Sequence, residues 1–203
     1  MFVGSDLPAG AVLAGGRSRR MGTDKASLVV DGVPLGRRAV DALLGNGLEP
    51  VVVVGGPSGF GVDLVGDLHP GSGPLGGVVT ALDHLRSDVI VLPCDLPAVR
   101  VDDVRRLLES AGRSIASGDD VDVHLVTVGG GPRFPCGWWR ISALPPALAA
   151  FDEGLRSLRA VVDRLRVAHL ELGRGFEDAD SPEELSGAVA WDSTTGDAGG
   201  RST

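Results

Sequence analysis

The chain has few cysteines, few aromatic residues and no long apolar run. Its two cysteines, Cys94 and Cys136, cannot form a disulfide framework and lack the paired spacing of a zinc site. Aromatic residues make up 4% of the chain whereas glycine occurs 31 times, which favours ligand contacts made by backbone loops. A helix that crosses a bilayer needs about eighteen consecutive apolar residues, and no run in this sequence approaches that length. Residues 1–10 lack the features of a signal sequence. We therefore expect a cytoplasmic protein without membrane contact.

Positive charge is also scarce, since 19 Lys and Arg stand against 27 Asp and Glu, for a net charge of −8. A protein that binds nucleic acid by neutralising phosphates needs a basic face across most of its domain. The charge therefore argues against a nucleic-acid partner and restricts any phosphate binding to one local site.

Short β-rich runs alternate with stretches of helical period, which predicts an α/β fold with parallel strands and crossover helices. The length suits one domain, which we place at 1–190, and the Ser, Thr, Gly and Asp that dominate 191–203 predict a disordered tail. Strands are predicted at 9–14, 51–54, 89–92, 121–128 and 167–172, with a crossing strand at 133–141. Helices are predicted at 34–45, 75–85 and 102–110, twice between 143 and 165, and from 181 onward.

Residues 13–25, with the sequence LAGGRSRRMGTDK, follow the first predicted strand. Open α/β sheets bind ligands at the carboxyl ends of their strands. Adjacent glycines can direct successive amide N–H groups toward one anion. Four cations also lie within nine residues: Arg17, Arg19, Arg20 and Lys25. This loop predicts a triphosphate site, and the alternative is a solvated loop whose arginines pair with surface carboxylates.

Two common phosphate-binding motifs are excluded by spacing. A Walker loop has four residues between its glycines and a lysine directly after the second, whereas five residues separate Gly16 from Gly22 and Lys25 comes three later. The dinucleotide pattern G-x-G-x-x-G is absent from this loop.

Four blocks of sequence together point to a family. They are the loop at 13–25, GPLGG at 73–77, LPCDLP at 92–97 and DADSPEEL at 178–185. Their order and residues closely resemble those of the molybdenum cofactor guanylyltransferases, over about residues 9–185. The resemblance implies a single-domain, three-layer, Rossmann-like nucleotidyltransferase fold with a mostly parallel central sheet. It also implies transfer of GMP from GTP to the terminal phosphate of molybdopterin-bound molybdenum cofactor, with release of pyrophosphate.

The resemblance also assigns roles to individual residues. Lys25, Arg19 and Asp95 are the implied catalytic residues. Asp95 ends a buried strand, and a carboxylate at such a point suits Mg²⁺, although an Asp there can also cap the following turn. Asp67 is implied to contact the base or the ribose. The full implied nucleotide-binding set is Leu13, Ala14, Gly15, Gly16, Lys25, Asp67, Gly76 and Asp95.

The sequence departs from the family at two places. Relatives often read Asn-x-Asn-Thr-Pro where this chain has Asp178, Asp180 and Ser181. Asp180 is a predicted second metal ligand opposite Asp95, and for both Asp178 and Asp180 the alternative to metal contact is that they cap the last helix. An asparagine expected near residues 54–55 is missing, so no role is transferred to that position.

The implied reaction needs no general base, because a phosphate monoester with a second pKa of about 6 is largely ionised at neutral pH. Arg133 is the predicted contact for the acceptor phosphate. For Trp138 and Trp139 we favour core packing over pterin stacking, because neighbouring residues on a strand point to opposite faces. Cys94 is predicted to be a packed residue and not a nucleophile.

Two other functions stay open at this stage. The first is cytidylyl or other nucleotidyl transfer to a different phosphorylated acceptor. The second is a non-catalytic GTP-binding accessory of molybdoenzymes. For the guanylyltransferase, transient contact with molybdoenzymes or other cofactor-assembly proteins is also expected.

Overall fold

The computed structural model describes residues 7–15 and 24–179. These form the strands β1 (Ala9–Leu13), β2 (Val29–Val30), β3 (Val33–Pro34), β4 (Val51–Val54), β5 (Asp63–Val65), β6 (Val89–Pro93), β7 (Val123–Val128), β8 (Gly131–Trp139) and β9 (Val167–Glu171). The helices are α1 (Leu35–Leu44), α2 (Gly73–Leu85), α3 (Val101–Ala116), α4 (Leu144–Asp152) and α5 (Leu158–Val162).

Seven of these strands form one sheet in the order β5-β4-β1-β6-β8-β7-β9. Strand β1 pairs in parallel with both β4 and β6, and β4 pairs in parallel with β5. Strand β8 runs antiparallel to β6 and β7, while β9 is parallel to β7. The predicted mostly parallel sheet is confirmed, and β1 lies near its centre.

Helices cover both faces of the sheet, which explains why β1 and β4 are buried along their whole length. Val12 and Val53 face one core, which α1 and α3 cover. Ala11 and Val52 face a second core, beneath α2, α4 and α5. The predicted three-layer α/β architecture is therefore confirmed. No helix within the described residues is long and apolar enough to cross a membrane.

Three elements differ from the sequence prediction. Strand β5 lies at the sheet edge and its side chains are mostly exposed, so no apolar run marks it. The β2–β3 hairpin turns at Asp31 and Gly32, which have φ angles of 51° and 78°; an Asp-Gly pair is a strong hairpin signal that the sequence prediction missed. Helix α3 continues to Ala116 because Ala111 still packs in the core.

The two tryptophans of β8 point to opposite faces of the sheet. Trp138 packs in the core beneath α1 and α3 and donates from Nε1 to Asp88 Oδ2 at 3.0 Å. Trp139 packs in the opposite core and donates to the Pro135 carbonyl at 2.9 Å. The predicted core packing is confirmed, and neither ring is available to stack on a ligand.

The start of β7 is tied to β9 by a buried carboxylate. Asp122 is 7% exposed and accepts hydrogen bonds from the Arg166 backbone N–H, Nε and Nη2 at 3.1, 2.9 and 2.6 Å. The Ser142 hydroxyl donates to the same carboxylate at 2.7 Å. The Arg166 hydrogen bonds hold the pKa of Asp122 well below its usual range.

We predict that Asp122→Asn lowers the free energy of unfolding by about 1–3 kcal/mol at pH 7, because it removes a buried charge-assisted network. Because the pKa of Asp122 is lower in the folded state, its ionised form stabilises the fold. This stabilisation is complete at pH values above the ordinary Asp pKa of about 4 and decreases as the pH falls below that value. The difference between wild type and variant in urea unfolding should therefore narrow below about pH 4. Asp120→Asn is the matched control, since Asp120 is exposed and pairs with the same arginine; an equal loss in both variants would contradict the prediction.

Candidate active site

The loops that follow β1, β4 and β6 meet at the carboxyl edge of the sheet. Ala14 and Gly15 both donate their backbone N–H to the Val54 carbonyl, at 3.0 and 3.1 Å, and Cys94 N–H donates to the Leu13 carbonyl at 3.1 Å. The predicted nucleotide-binding residues Leu13, Ala14 and Gly15 therefore lie where parallel strands place a ligand site. Gly16, Arg17, Arg19 and Arg20 lie outside the described residues.

Two glycines account for the missing asparagine after β4. Gly55 has a φ angle of 66°, and a Cβ on it would lie 2.8 Å from the Gly15 Cα. The backbones of the two loops are thus in direct contact, and a side chain at residue 55 cannot be accommodated.

Lys25 and Asp95 form an ion pair at this edge, with 3.3 Å between Nζ and Oδ2. Asp24 accepts a hydrogen bond from the Ala26 N–H at 2.9 Å and so begins the short 3-10 helix Lys25–Ser27 that carries the lysine. Lys25 Nζ also donates to the Ala179 carbonyl at 3.4 Å, and the Ala179 N–H donates to the Asp95 carbonyl at 3.1 Å. Three distant segments therefore converge on one lysine and one carboxylate. The side chain of Lys25 is 16% exposed and that of Asp95 is 21% exposed.

Burial dominates the acid–base behaviour of this region. It raises the pKa of Asp95 above its ordinary value, and the nearby Asp178 adds to the rise while Lys25 opposes it. Burial also raises the pKa of the Cys94 thiol to about 12. Cys94 is therefore not a nucleophile at neutral pH, in agreement with its predicted packing role.

The donor set fits Mg²⁺ held jointly with a substrate. Mg²⁺ in phosphoryl-transfer sites usually takes one or two carboxylates together with phosphate oxygens, and Asp95 supplies one carboxylate in a partly buried position. The described residues contain no group of three His, Cys, Asp or Glu side chains that would hold a metal alone. Asp180, the predicted second ligand, lies outside the described residues.

Asp178 makes a contact that no sequence motif indicates. Its carboxylate lies 3.8 Å from Arg133 Nη1, and Glu177 lies 4.0 Å from Nη2 of the same arginine. The proposed capping of the last helix by Asp178 is untested, because residues 180–203 lie outside the described part. Within the described part, Asp178 is a counterion of Arg133.

Arg133 lines a cavity of about 250 Å³ next to Asp95. The cavity wall combines apolar side chains with one cation and one carboxylate, and it is made by Pro93, Leu96, Pro132, Arg133, Phe134, Cys136, Phe176 and Asp178. Asp178 lines this cavity and is close enough to Asp95 to raise the pKa of Asp95, so the cavity lies near the Lys25–Asp95 pair. Such a site suits a flat, partly apolar ligand that carries a phosphate.

Asp67 lies on the other side of the Gly15 loop. Its Oδ1 accepts hydrogen bonds from the His69 N–H at 2.8 Å and from the Thr80 hydroxyl at 3.3 Å. Its Oδ2 lies 3.9 Å from the point that a Cβ on Gly15 would occupy. Gly76 is required by packing, since a Cβ there would lie 2.8 Å from the His69 carbonyl oxygen. The predicted nucleotide contacts of Asp67 and Gly76 stay predictions.

Sequence reasoning missed Thr80 and Glu177. Thr80 is the one hydroxyl in the apolar stretch PLGGVVTAL, so its polarity was an available signal. Glu177 belongs to no motif, and only its position beside Arg133 identifies it.

A glycine loop, a lysine and a carboxylate at the carboxyl edge of a mostly parallel sheet define a nucleotide-binding α/β protein. The family model of the MobA-like NTP transferase domain matches residues 10–170. A probable molybdenum cofactor guanylyltransferase from Opitutus terrae is 35% identical over 81% of this chain and 82% of its own length. A molybdenum cofactor guanylyltransferase from Burkholderia vietnamiensis is 31% identical over 87% and 93%.

Solved structures give the same fold. Molybdopterin-guanine dinucleotide biosynthesis protein A from Archaeoglobus fulgidus superposes with a TM-score of 0.72 at 22% identity, covering 91% of this chain and 98% of that one. A 2-C-methyl-D-erythritol 4-phosphate cytidylyltransferase from Thermus thermophilus superposes with a TM-score of 0.66 at 18% identity, covering 93% and 100%. The chain belongs to the family of MobA-like NTP transferase domains and is a nucleotidyltransferase. The predicted family and enzyme class are confirmed.

Proposed function

We propose that this chain transfers GMP from GTP to the terminal phosphate of molybdopterin-bound molybdenum cofactor and releases pyrophosphate. The observation that carries the proposal is the Lys25–Asp95 pair. Asp95 follows β6, which lies in the sheet between β1, whose end leads into the Gly15 loop, and β8, which carries Arg133. The names of the relatives that match this chain over most of their length support the choice of guanylyl transfer.

The nucleotide is proposed to bind on the Gly15 side of the pair. Residues 13–16 are proposed to line the nucleotide site, although the N–H groups of Ala14 and Gly15 already donate to the Val54 carbonyl and do not bind the phosphates. Asp67 is proposed to accept a hydrogen bond from the nucleoside. Lys25 is near enough to Asp95 to contact a phosphate held beside it, and Arg19 is proposed to assist. Mg²⁺ held by Asp95 would neutralise charge on the α-phosphate.

The chemistry requires one bond to form and one to break. An oxygen of the acceptor phosphate attacks the α-phosphorus of GTP, and the bond to the bridging oxygen of the β-phosphate breaks, so that pyrophosphate leaves with the electron pair. The nucleophile is already an anion, so no residue has to remove a proton. The chain contributes position and positive charge, and Lys25 offsets the charge that develops on pyrophosphate.

The acceptor is proposed to occupy the cavity beside Asp95. Its apolar wall suits a fused ring, and Arg133 suits a phosphate. In the structure Arg133 lies 4.0 and 3.8 Å from Glu177 and Asp178. These distances are longer than those of close charge-assisted hydrogen bonds, which leaves the guanidinium able to bind an incoming phosphate.

Incubation with labelled GTP, Mg²⁺ and molybdenum cofactor, followed by mass analysis, tests the proposal. The expected product is the guanine dinucleotide form with one pyrophosphate released for each acceptor consumed. Preferential use of CTP or ATP in competition would show a different nucleotidyltransferase. GTP binding without acceptor-dependent pyrophosphate release would show a non-catalytic accessory protein. Action in the cytoplasm and transfer of the product to molybdoenzymes belong to the same proposal.

We predict that Arg133→Gln raises the KM for the acceptor about tenfold or more, because it removes a charge-assisted contact to phosphate. The KM for GTP should change less than twofold. Steady-state kinetics with each substrate varied in turn measures both constants. Arg105→Gln is the control, since Arg105 is an exposed cation that pairs with Asp102 on α3. An equal rise in both KM values would contradict the assignment.

A further inference from the structure

Thr80 connects helix α2 to the loop that carries Asp67. The side chain is fully buried, and its hydroxyl uses both of its hydrogen-bonding functions on that loop. The Leu68 N–H donates to Thr80 Oγ1 at 3.1 Å, and Oγ1 lies 3.3 Å from Asp67 Oδ1, to which it donates. A valine has nearly the same shape but can replace neither hydrogen bond.

These contacts fix which carboxylate oxygen faces the site. Oδ1 accepts from both Thr80 and the His69 N–H, whereas none of the described residues donates to Oδ2, the oxygen that lies near Gly15. We propose that Thr80 is a positioning residue that orients Asp67 so that Oδ2 accepts a hydrogen bond from the nucleoside of the bound triphosphate. This inference rests on the proposed function for the role of Asp67.

The loop has a second, independent anchor. The His69 ring stacks on Phe151 of α4, with ring centroids 4.5 Å apart and an angle of 25° between the planes. The Arg156 guanidinium carbon lies 4.7 Å from the centroid of the same phenylalanine. Because α4 holds the loop from this side, loss of the Thr80 hydroxyl is expected to release the Asp67 carboxylate and leave the loop in place.

Thr80→Val and Thr80→Ser test the proposal as a matched pair. We expect Thr80→Val to raise the KM for the nucleotide about tenfold, the size expected when one hydrogen bond to a charged group is lost. Its kcat and its KM for the acceptor should stay within about twofold of wild type, because neither depends on this carboxylate. Thr80→Ser keeps the hydroxyl and should keep the wild-type nucleotide KM. Thermal unfolding of both variants reports any loss of fold separately.

A double-mutant cycle with Asp67→Asn decides between orientation and general packing. If Thr80 acts through the carboxylate, Thr80→Val should add little to the nucleotide KM once residue 67 is Asn. A full further loss in the Asp67→Asn background, or an unchanged nucleotide KM in Thr80→Val itself, would overturn the proposal.

Equilibrium binding of GTP, CTP and ATP separates this inference from the proposed function. A wild-type chain that binds one of these triphosphates without making the dinucleotide product would refute guanylyl transfer. Weaker binding of that same triphosphate by Thr80→Val, but not by Thr80→Ser, would then still support the positioning role. A wild type that binds none of the three would overturn both.

Discussion

Asp95→Asn is expected to lower kcat about a thousandfold, the largest effect of any single substitution in this chain. The asparagine keeps the shape of the side chain but removes the negative charge that is proposed to hold Mg²⁺ at the end of β6. Pyrophosphate release at saturating GTP, acceptor and Mg²⁺ measures the loss. The thermal unfolding midpoint should change little, because relief of the burial of the Asp95 charge opposes the loss of the ion pair with Lys25.

Asp102→Asn is the matched control for this substitution. Asp102 is 68% exposed at the start of α3 and pairs with Arg105, so its loss should leave activity unchanged. If Asp95→Asn retained turnover within about threefold of wild type, Asp95 could not be the metal-binding residue, and the proposed mechanism would fail.

Lys25→Ala should lower kcat about a hundredfold or more, because it removes the cation that is proposed to offset charge on the departing pyrophosphate. Stability should also decrease, since the substitution leaves the partly buried Asp95 without its counterion. Steady-state kinetics and thermal unfolding report the two effects separately.

The double variant Lys25→Ala/Asp95→Asn distinguishes the catalytic loss from the structural one. It has neither charge, so its unfolding midpoint should return toward that of wild type while its activity stays lost. Arg86→Ala is the control for removal of a cation, since Arg86 is 70% exposed and pairs with Asp83. Recovery of activity in the double variant would show that Lys25 acts only on the fold.

Local sequence patterns were sufficient for most of the fold. The four valines of β4 have the unbroken apolar pattern of a strand buried on both faces, and both faces are buried. Strand β5 was missed because an exposed edge strand of three residues carries no such pattern. The sequence also placed Asp95 correctly at the end of a strand, because Pro93 stops a clear apolar run.

The partners of the site residues were harder to predict. The capping or metal binding predicted for Asp178 stays a prediction, and the structure adds an ion pair with Arg133, which is 45 residues earlier in the chain. Thr80 lies in a predicted helix whose other residues are mostly apolar, although its hydroxyl donates to Asp67, thirteen residues earlier. Contacts of this kind depend on how helices and strands pack against one another, and the periodicity of residues in the sequence does not predict that packing.

Three features could be predicted from the amino-acid order alone: the alternation of strands and helices, the glycine loop after the first strand, and the family to which the chain belongs. These features follow from local periodicity, backbone freedom and short motifs. Three contacts became visible only in the folded chain: Lys25 with Asp95, Arg133 with Asp178 in a cavity, and Thr80 with Asp67. The reason is that the order of strands in the sheet brings together residues up to 154 positions apart, as with Lys25 and Ala179.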